Sequence, residues 1–198
     1  MMRTAVMISF VVSALVTSAN QNLRELVKND PGDKVITVNA EMPFVTFATV
    51  LKQTDFIVRS TIGQGTAALN EAQTDIITTY PLVAPRVLFP PNVDTYRTPG
   101  RQQIPLSVSV RGGTALVDGY KVTIGRDDVP ALKAGADVIL FLRAYQNRYW
   151  IAGDTGVFAV EESKVIPLMT RRGEHKEFDG QDVVRFLSEM VQLRQARK

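Results

Sequence analysis

The sequence predicts a mainly β fold, an antiparallel β-barrel or sandwich, with a C-terminal amphipathic α-helix. Three observations carry this. Short segments rich in Val, Ile, Thr and Phe recur between turn signals from residue 34 to residue 168. The connections between them are too short for β-α-β crossovers, which argues against a parallel sheet. Beyond residue 178 the apolar spacing changes from that of strands to that of a helix.

Met1 to Thr4 is a positive start without an acid, and Ala5 to Val16 is an apolar run polar only at Ser9 and Ser13. Thr17-Ser18-Ala19 supplies the small residues that a signal peptidase admits before its cut. This is the layout of a secretory signal peptide. The run has twelve residues, against the ~20 that a spanning helix needs. An uncleaved anchor is therefore the weaker reading, and no stable membrane span is expected after cleavage.

Residues 20–30 carry Leu23, Leu26 and Val27 at helical spacing, as one short helix or a flexible new N-terminus. Asn29-Asp30-Pro31-Gly32 marks a turn. Residues 34–39 (KVITVN) read as a strand. Residues 44–53 place Phe44, Phe47, Val50 and Leu51 on a helical face, which favours a short helix packed on a sheet over a strand. Residues 55–62 form a strand closed by Gly63-Gln64-Gly65. Residues 74–89 form a long strand whose Pro81 and Pro85 belong at an edge, a bulge or a bend. Residues 90–103, with three prolines and a glycine, are the most loop-like stretch and suit a flap.

Residues 104–110 alternate as a strand, and Arg111-Gly112-Gly113-Thr114 turns the chain. Segments 114–117 and 120–124 flank Asp118-Gly119, a hairpin signal. Residues 129–135 are a loop or one helical turn. Residues 137–143 (DVILFLR) are the most apolar strand and should be central. Gln146-Asn147 turns that strand into 148–152, and strands 156–160 and 163–168 are joined at Glu161-Glu162. In the last segment Asp179 is the expected N-cap, with Asp182 in the first turn. Val183, Val184, Phe186, Leu187, Met190, Val191 and Leu193 occupy one half of the wheel, opposite Arg185, Ser188, Glu189, Gln192 and Gln195. That apolar half must be covered by its own sheet or, as the sharper reading, by a partner. The resulting division is a signal peptide (1–19), an N-terminal segment with one strand (20–43), a β-barrel domain (44–168), and a loop with the C-terminal helix (169–198).

Composition closes several function classes. The 23 Lys and Arg are interspersed with 20 Asp and Glu, for a net charge of +3. Only Arg194, Arg197 and Lys198 cluster, and they suit a helix C-terminus, so no nucleic-acid partner is expected. There is no cysteine. The chain must fold on burial alone, which suits a bacterial envelope, and lipoprotein attachment, thiol nucleophiles and thiolate metal sites are excluded. The single histidine, His175, lies among Arg171, Arg172, Glu174, Lys176 and Glu177 and reads as a solvated loop residue. One histidine does not make a zinc hydrolase site, and no Gly-x-Ser-x-Gly elbow partners it. No catalytic residue, metal site or cofactor follows.

Arg143, Tyr145, Tyr149 and Trp150 are the candidate ligand-binding residues, with Arg148 beside them. Aromatic rings mixed with arginine stack a sugar or a base. Against this, strand alternation sends Tyr149 and Trp150 to opposite faces, which favours one ring in the core and one capping an edge. Asp127-Asp128 with Asp118 or Asp154 suggests a cation or a carboxylate pair, but the calcium-loop pattern is missing and a turn is simpler. Arg111-Gly112-Gly113 is an anion-binding nest or, more simply, a hairpin.

The order of five segments adds a resemblance: Asp55 to Ser60, Thr79 to Val83, Arg111 to Thr114, Ala134 to Leu142 and Gly156 to Phe158. It resembles that of exported bacterial proteins without assigned function, whose barrel is similar to the OB-like barrel of netrin-like modules and tissue inhibitors of metalloproteinases. The resemblance covers roughly residues 50 to 168 and implies an OB-like barrel. It does not imply protease inhibition, because those inhibitors chelate zinc through an N-terminal cysteine.

The expectation is thus an exported, periplasmic or secreted, non-catalytic binding or protein-interaction module of the bacterial envelope, with an envelope or extracellular protein as partner. The alternative is a secreted hydrolase using carboxylates or a serine, acting on glycan. Mass spectrometry of the protein from its native cells is expected to find an N-terminus at Asn20. A chain that keeps residues 1–19 would mark the leader as an anchor instead.

Overall fold

The computed structural model describes residues 22–38, 45–89, 106–153, 155–169 and 175–195. The expected leader over 1–19 and the expected loop over 90–103 lie outside the described residues.

The chain opens with helix α1 (Leu23–Asn29), capped by the Asn22 side chain, which accepts from the backbone N–H groups of Arg24 and Glu25. Strand β1 (Lys34–Val38) follows, then helix α2 (Phe47–Gln53), capped by Thr46. The expected short helix within 44–53 is present as α2, because its Phe47, Val50 and Leu51 all reach the core, while Phe44 lies outside the described residues. Strands β2 (Phe56–Ile62), β3 (Thr66–Leu69), β4 (Ile76–Phe89) and β5 (Ser107–Arg111) come next. They are followed by β6 (Gly113–Val117), β7 (Tyr120–Arg126), β8 (Asp137–Tyr145), β9 (Arg148–Ile151), β10 (Val157–Glu161) and β11 (Lys164–Pro167). A 3-10 turn (Lys176–Phe178), the short β12 (Gln181–Asp182) and helix α3 (Val183–Gln195) end the described chain.

Five strands close a barrel in the order β8-β2-β4-β5-β9 and back to β8. The fold is mainly β, as expected, and the closed five-stranded barrel is consistent with an OB-like barrel. Its interior is filled by Phe56, Val58, Ile62, Val108, Val110, Val138, Leu140, Leu142 and Ile151. Strand β8 is central, as its composition demands: it pairs with β2, β9 and β10, and Val138 to Leu142 are all fully buried. The outward residues of β8, Ile139 and Phe141, meet α2, β10, the 3-10 turn and α3 through Phe47, Phe158, Phe178 and Phe186. Phe47 stands edge-on to Phe141 at 5.3 Å and to Phe178 at 4.7 Å between ring centroids.

The long β4 bends as its prolines require. Arg59 pairs with Arg86 and Thr61 with Val83, so Ala84 and Pro85 together oppose Ser60 in a β-bulge. Ala84 sits there at φ +49°. The Ser60 hydroxyl donates to the Val83 carbonyl at 2.8 Å and pins the bend.

A second sheet, in the order β1-β7-β6, packs on α1 through Leu23, Val27, Ile36, Val38, Ile76, Val117, Val122 and Ile124. Here the argument against parallel pairing fails locally. β1 runs parallel to β7, and β5 meets β9 in parallel at Ser109 and Trp150. Short connections exclude parallel neighbours adjacent in sequence. They do not exclude partners brought together from distant parts of the chain.

Other details differ from expectation. Asp182 caps α3 by accepting from Val184 and Arg185, while Asp179 follows the 3-10 turn. The β10–β11 turn lies at Glu162-Ser163, both at positive φ, rather than at Glu161-Glu162. Arg111 to Thr114 is a corner between the two sheets and not a hairpin, because β5 pairs with β4 and β9 while β6 pairs with β7. A Cβ on Gly113 would stand 2.1 Å from the Thr78 hydroxyl oxygen, which explains the glycine. Among the described side chains of α3, Val183, Phe186 and Met190 are buried, and Val184, Val191 and Leu193 remain exposed. Among the described residues no helix is long and apolar enough to cross a membrane.

A partly buried ion network links the two sheets. Arg126, at the end of β7, donates to both oxygens of Asp128 at 3.0 and 2.9 Å, and its other terminal nitrogen lies 3.7 Å from Asp75 beside β4. Burial pushes the Asp75 carboxyl above its usual value, against the Ile76 N–H, Arg126 and Arg111, and Asp128 adds to the rise. A carboxyl whose folded pKa is raised disfavours the fold when ionised, and that penalty is relieved as pH falls through the folded value. We therefore expect Asp75→Asn, which keeps an acceptor for the Ile76 N–H, to be at least as stable as the parent at pH 7. Its advantage should vanish at acid pH. Arg126→Met, which strands the buried Asp128 and the half-buried Asp75 carboxylates, should cost ~3–5 kcal/mol. Urea denaturation of both variants across pH checks this pair of outcomes.

Candidate functional site

The β8–β9 hairpin decides where the predicted residues go. Its loop is Gln146-Asn147, both at positive φ (49° and 57°), as a tight two-residue hairpin turn requires. A two-residue loop fixes the register, so Tyr145 opposes Arg148, Ala144 opposes Tyr149, and Arg143 opposes Trp150. Directly opposed residues share a face, and next-but-one residues along a strand share it too. Arg143, Tyr145, Arg148 and Trp150 therefore stand on the outer face of the barrel. Tyr149 stands on the inner face.

The surroundings agree. Tyr149 is half-buried against the barrel interior, edge-on to Phe56 at 5.6 Å. Burial raises its phenol pKa, and the Asp55 charge adds to the rise. Tyr149 thus leaves the candidate set, and strand alternation had already separated it from Trp150. Trp150 is half-buried, and its indole N–H donates to the Tyr145 carbonyl at 3.3 Å across the end of the hairpin. Tyr145 is 54 % exposed, and the Arg143 guanidinium carbon lies 5.8 Å from its ring centroid. Arg143 and Arg148 are exposed, and among the described residues neither forms an ion pair. Asp55 is engaged nearby, where its carboxylate accepts from the Ala144 N–H at 2.8 Å.

A row of paired residues runs from this cluster across the outer wall. Trp150 is in register with Ser109 on β5, Ser109 with Thr79 on β4, and Thr79 with Thr66 on β3. The Thr79 and Ser109 hydroxyls lie 3.2 Å apart, and Ser109 is buried. The row therefore runs from an exposed threonine through a closed hydroxyl pair to the indole and the Arg143 guanidinium.

No family model, curated protein or solved structure matches this chain. The netrin-like resemblance thus rests on segment order alone, and the barrel is what the structure adds to it.

The other sequence candidates are absorbed by the fold. Asp128 is held by Arg126, and Asp118 sits in the β6–β7 turn with its carboxylate 3.8 Å from Arg24. Asp154 lies outside the described residues. The Gly112 N–H donates to the Ile76 carbonyl, and the Gly112 carbonyl accepts from Thr78, so this backbone is committed to the sheet and does not cradle an anion. Among the described residues no group of three His, Cys, Asp or Glu is placed to hold a metal.

His175 overturns its expected solvation. It is 3 % exposed, packed against the Phe47 and Phe158 rings, with Nε2 2.9 Å from the Thr155 hydroxyl oxygen. The charged neighbours in sequence suggested water, but a backbone turn at φ +61° carries this one ring inward. A hydroxyl beside an imidazole is the pairing of a hydrolase. Here both partners are buried, and phenylalanine walls the ring. The contact satisfies two polar groups inside an aromatic cluster. Thr155→Val removes that partner and should destabilise the protein by about 1–3 kcal/mol in equilibrium urea denaturation. Thr155→Ser should retain most of the stability.

Proposed function

We propose that the protein is an exported, non-catalytic binding module of the bacterial envelope, with the outer face of the β8–β9 hairpin as its ligand surface. The observation that supports this reading is the gathering of Arg143, Tyr145, Arg148 and Trp150 on one outward face. Arg143 and Arg148 are exposed and, among the described residues, have no acidic partner, so their charge is open to an anionic ligand. Exposed arginine and aromatic side chains are also the residue types that dominate binding energy at interfaces. The apolar leader supports export.

The test is site-directed photocrosslinking in cells of the source organism. A photoreactive residue replaces Gln146 in the tagged full-length chain, at the exposed tip of the hairpin. We expect a reproducible envelope-derived adduct that disappears when Arg143 and Arg148 are both changed to serine. An adduct unaffected by those changes, or none at all, would count against the hairpin face as the ligand surface.

A further inference from the structure

We propose that the ligand of this face is an acidic glycan, one whose sugar rings carry carboxylate groups. The inference rests on reading the β8–β9 face as a binding surface and names the chemistry that surface suits. Four features point to it.

First, the face is cationic. Arg143 and Arg148 occupy diagonal cross-strand positions, ~7–8 Å apart by sheet geometry, and among the described residues neither has an acidic partner. The acid at the hairpin base, Asp55, is occupied by the Ala144 N–H. Guanidinium forks bind carboxylates in two-point fashion.

Second, the rings are held. The Trp150 indole is fixed by its hydrogen bond to the Tyr145 carbonyl, and Arg143 lies over Tyr145. A flat ring that is already positioned loses little freedom on binding, and this favours stacking against the C–H face of a sugar. Third, the row that continues from the face is hydroxylic, with Ser109 itself buried and the exposed Thr66 at its far end. Thr79 and Thr66 extend the row beyond Ser109, and this suits a polyhydroxylated ligand better than a row of phosphates.

Fourth, the alternative polymer is a poorer fit. Single-stranded nucleic acid is held by a cationic groove that follows many phosphates, with several rings stacking successive bases. The hairpin offers two guanidinium groups, and Tyr149, which would have supplied another ring, faces the barrel interior. One or two charged sugars match this extent of surface.

The experiment uses the chain's own reporter. Trp150 is the only tryptophan, so fluorescence under tryptophan-selective excitation reads this face. The purified protein is titrated at low and physiological salt with an octagalacturonate, with a neutral cello-oligosaccharide and with single-stranded poly-dT. The octagalacturonate is expected to change Trp150 emission saturably. Arg143→Gln and Arg148→Gln should each raise its Kd at least tenfold while leaving the melting temperature unchanged, and the cello-oligosaccharide should bind at least tenfold more weakly. Equal binding of the neutral and acidic sugars would overturn the charge argument. Tighter binding of poly-dT would overturn the glycan in favour of a nucleic acid. If none of the three binds but the crosslink at position 146 still forms, the glycan is wrong and the binding surface stands. If neither titration nor crosslink responds, both readings fall.

Discussion

Strand β8 has no solvent side between Val138 and Leu142, and much of the architecture follows from that constraint. Val138, Leu140 and Leu142 point into the barrel, so β2, β4, β5 and β9 must close around them. Ile139 and Phe141 point the other way and would leave a large apolar patch on the barrel wall if left bare. Two helices and a 3-10 turn cover that patch, each contributing a phenylalanine: Phe47 from α2, Phe178 from the turn and Phe186 from α3. A strand apolar on both faces therefore requires a barrel on one side and a lid on the other. Truncating Phe47 or Phe186 would remove contacts to several rings at once.

The same strand changes character within nine residues. From Val138 to Leu142 it is core; from Arg143 onward it leaves the aromatic lid and continues as one arm of an exposed hairpin. Rigidity from the buried half is passed directly to the exposed half, because both belong to one hydrogen-bonded ladder. The outward-facing arginines and rings are thus carried on a strand anchored in the centre of the molecule, and sites on such elements hold their geometry better than sites on loops.

Much of this was legible in the sequence. The apolar run DVILFLR identified the central strand, Asp118-Gly119 and Gln146-Asn147 identified two hairpins, and helical periodicity after residue 182 identified α3. The parts that were missed have physical reasons. β3 (TAAL) and the two-residue β12 are too short and too small in side chain to carry a periodic signal. Parallel pairing of β1 with β7 joins segments far apart in the chain, and local pattern holds no record of that. His175 was misplaced because its charged neighbours set the average while one ring goes inward. The site was half legible. Alternation separated Tyr149 from Trp150, and the two-residue loop already implied that Arg143, Tyr145, Arg148 and Trp150 share a face, but the pairing across the turn had to be drawn to see it.

The pairing of β1 with β7 has a consequence in time as well as in space. The apolar side of α1 and the inward residues of β1, Ile36 and Val38, are completed by Val117, Val122 and Ile124. α1 meets Ile76 and the Gln73 carbonyl, but its cluster stays open until the β6–β7 hairpin adds its side chains. Contacts of such long sequence separation slow folding, because the intervening chain must be closed into a loop before they form. The core around α1 and β1 is thus a product of closure between distant parts of the chain, and not of neighbours in sequence.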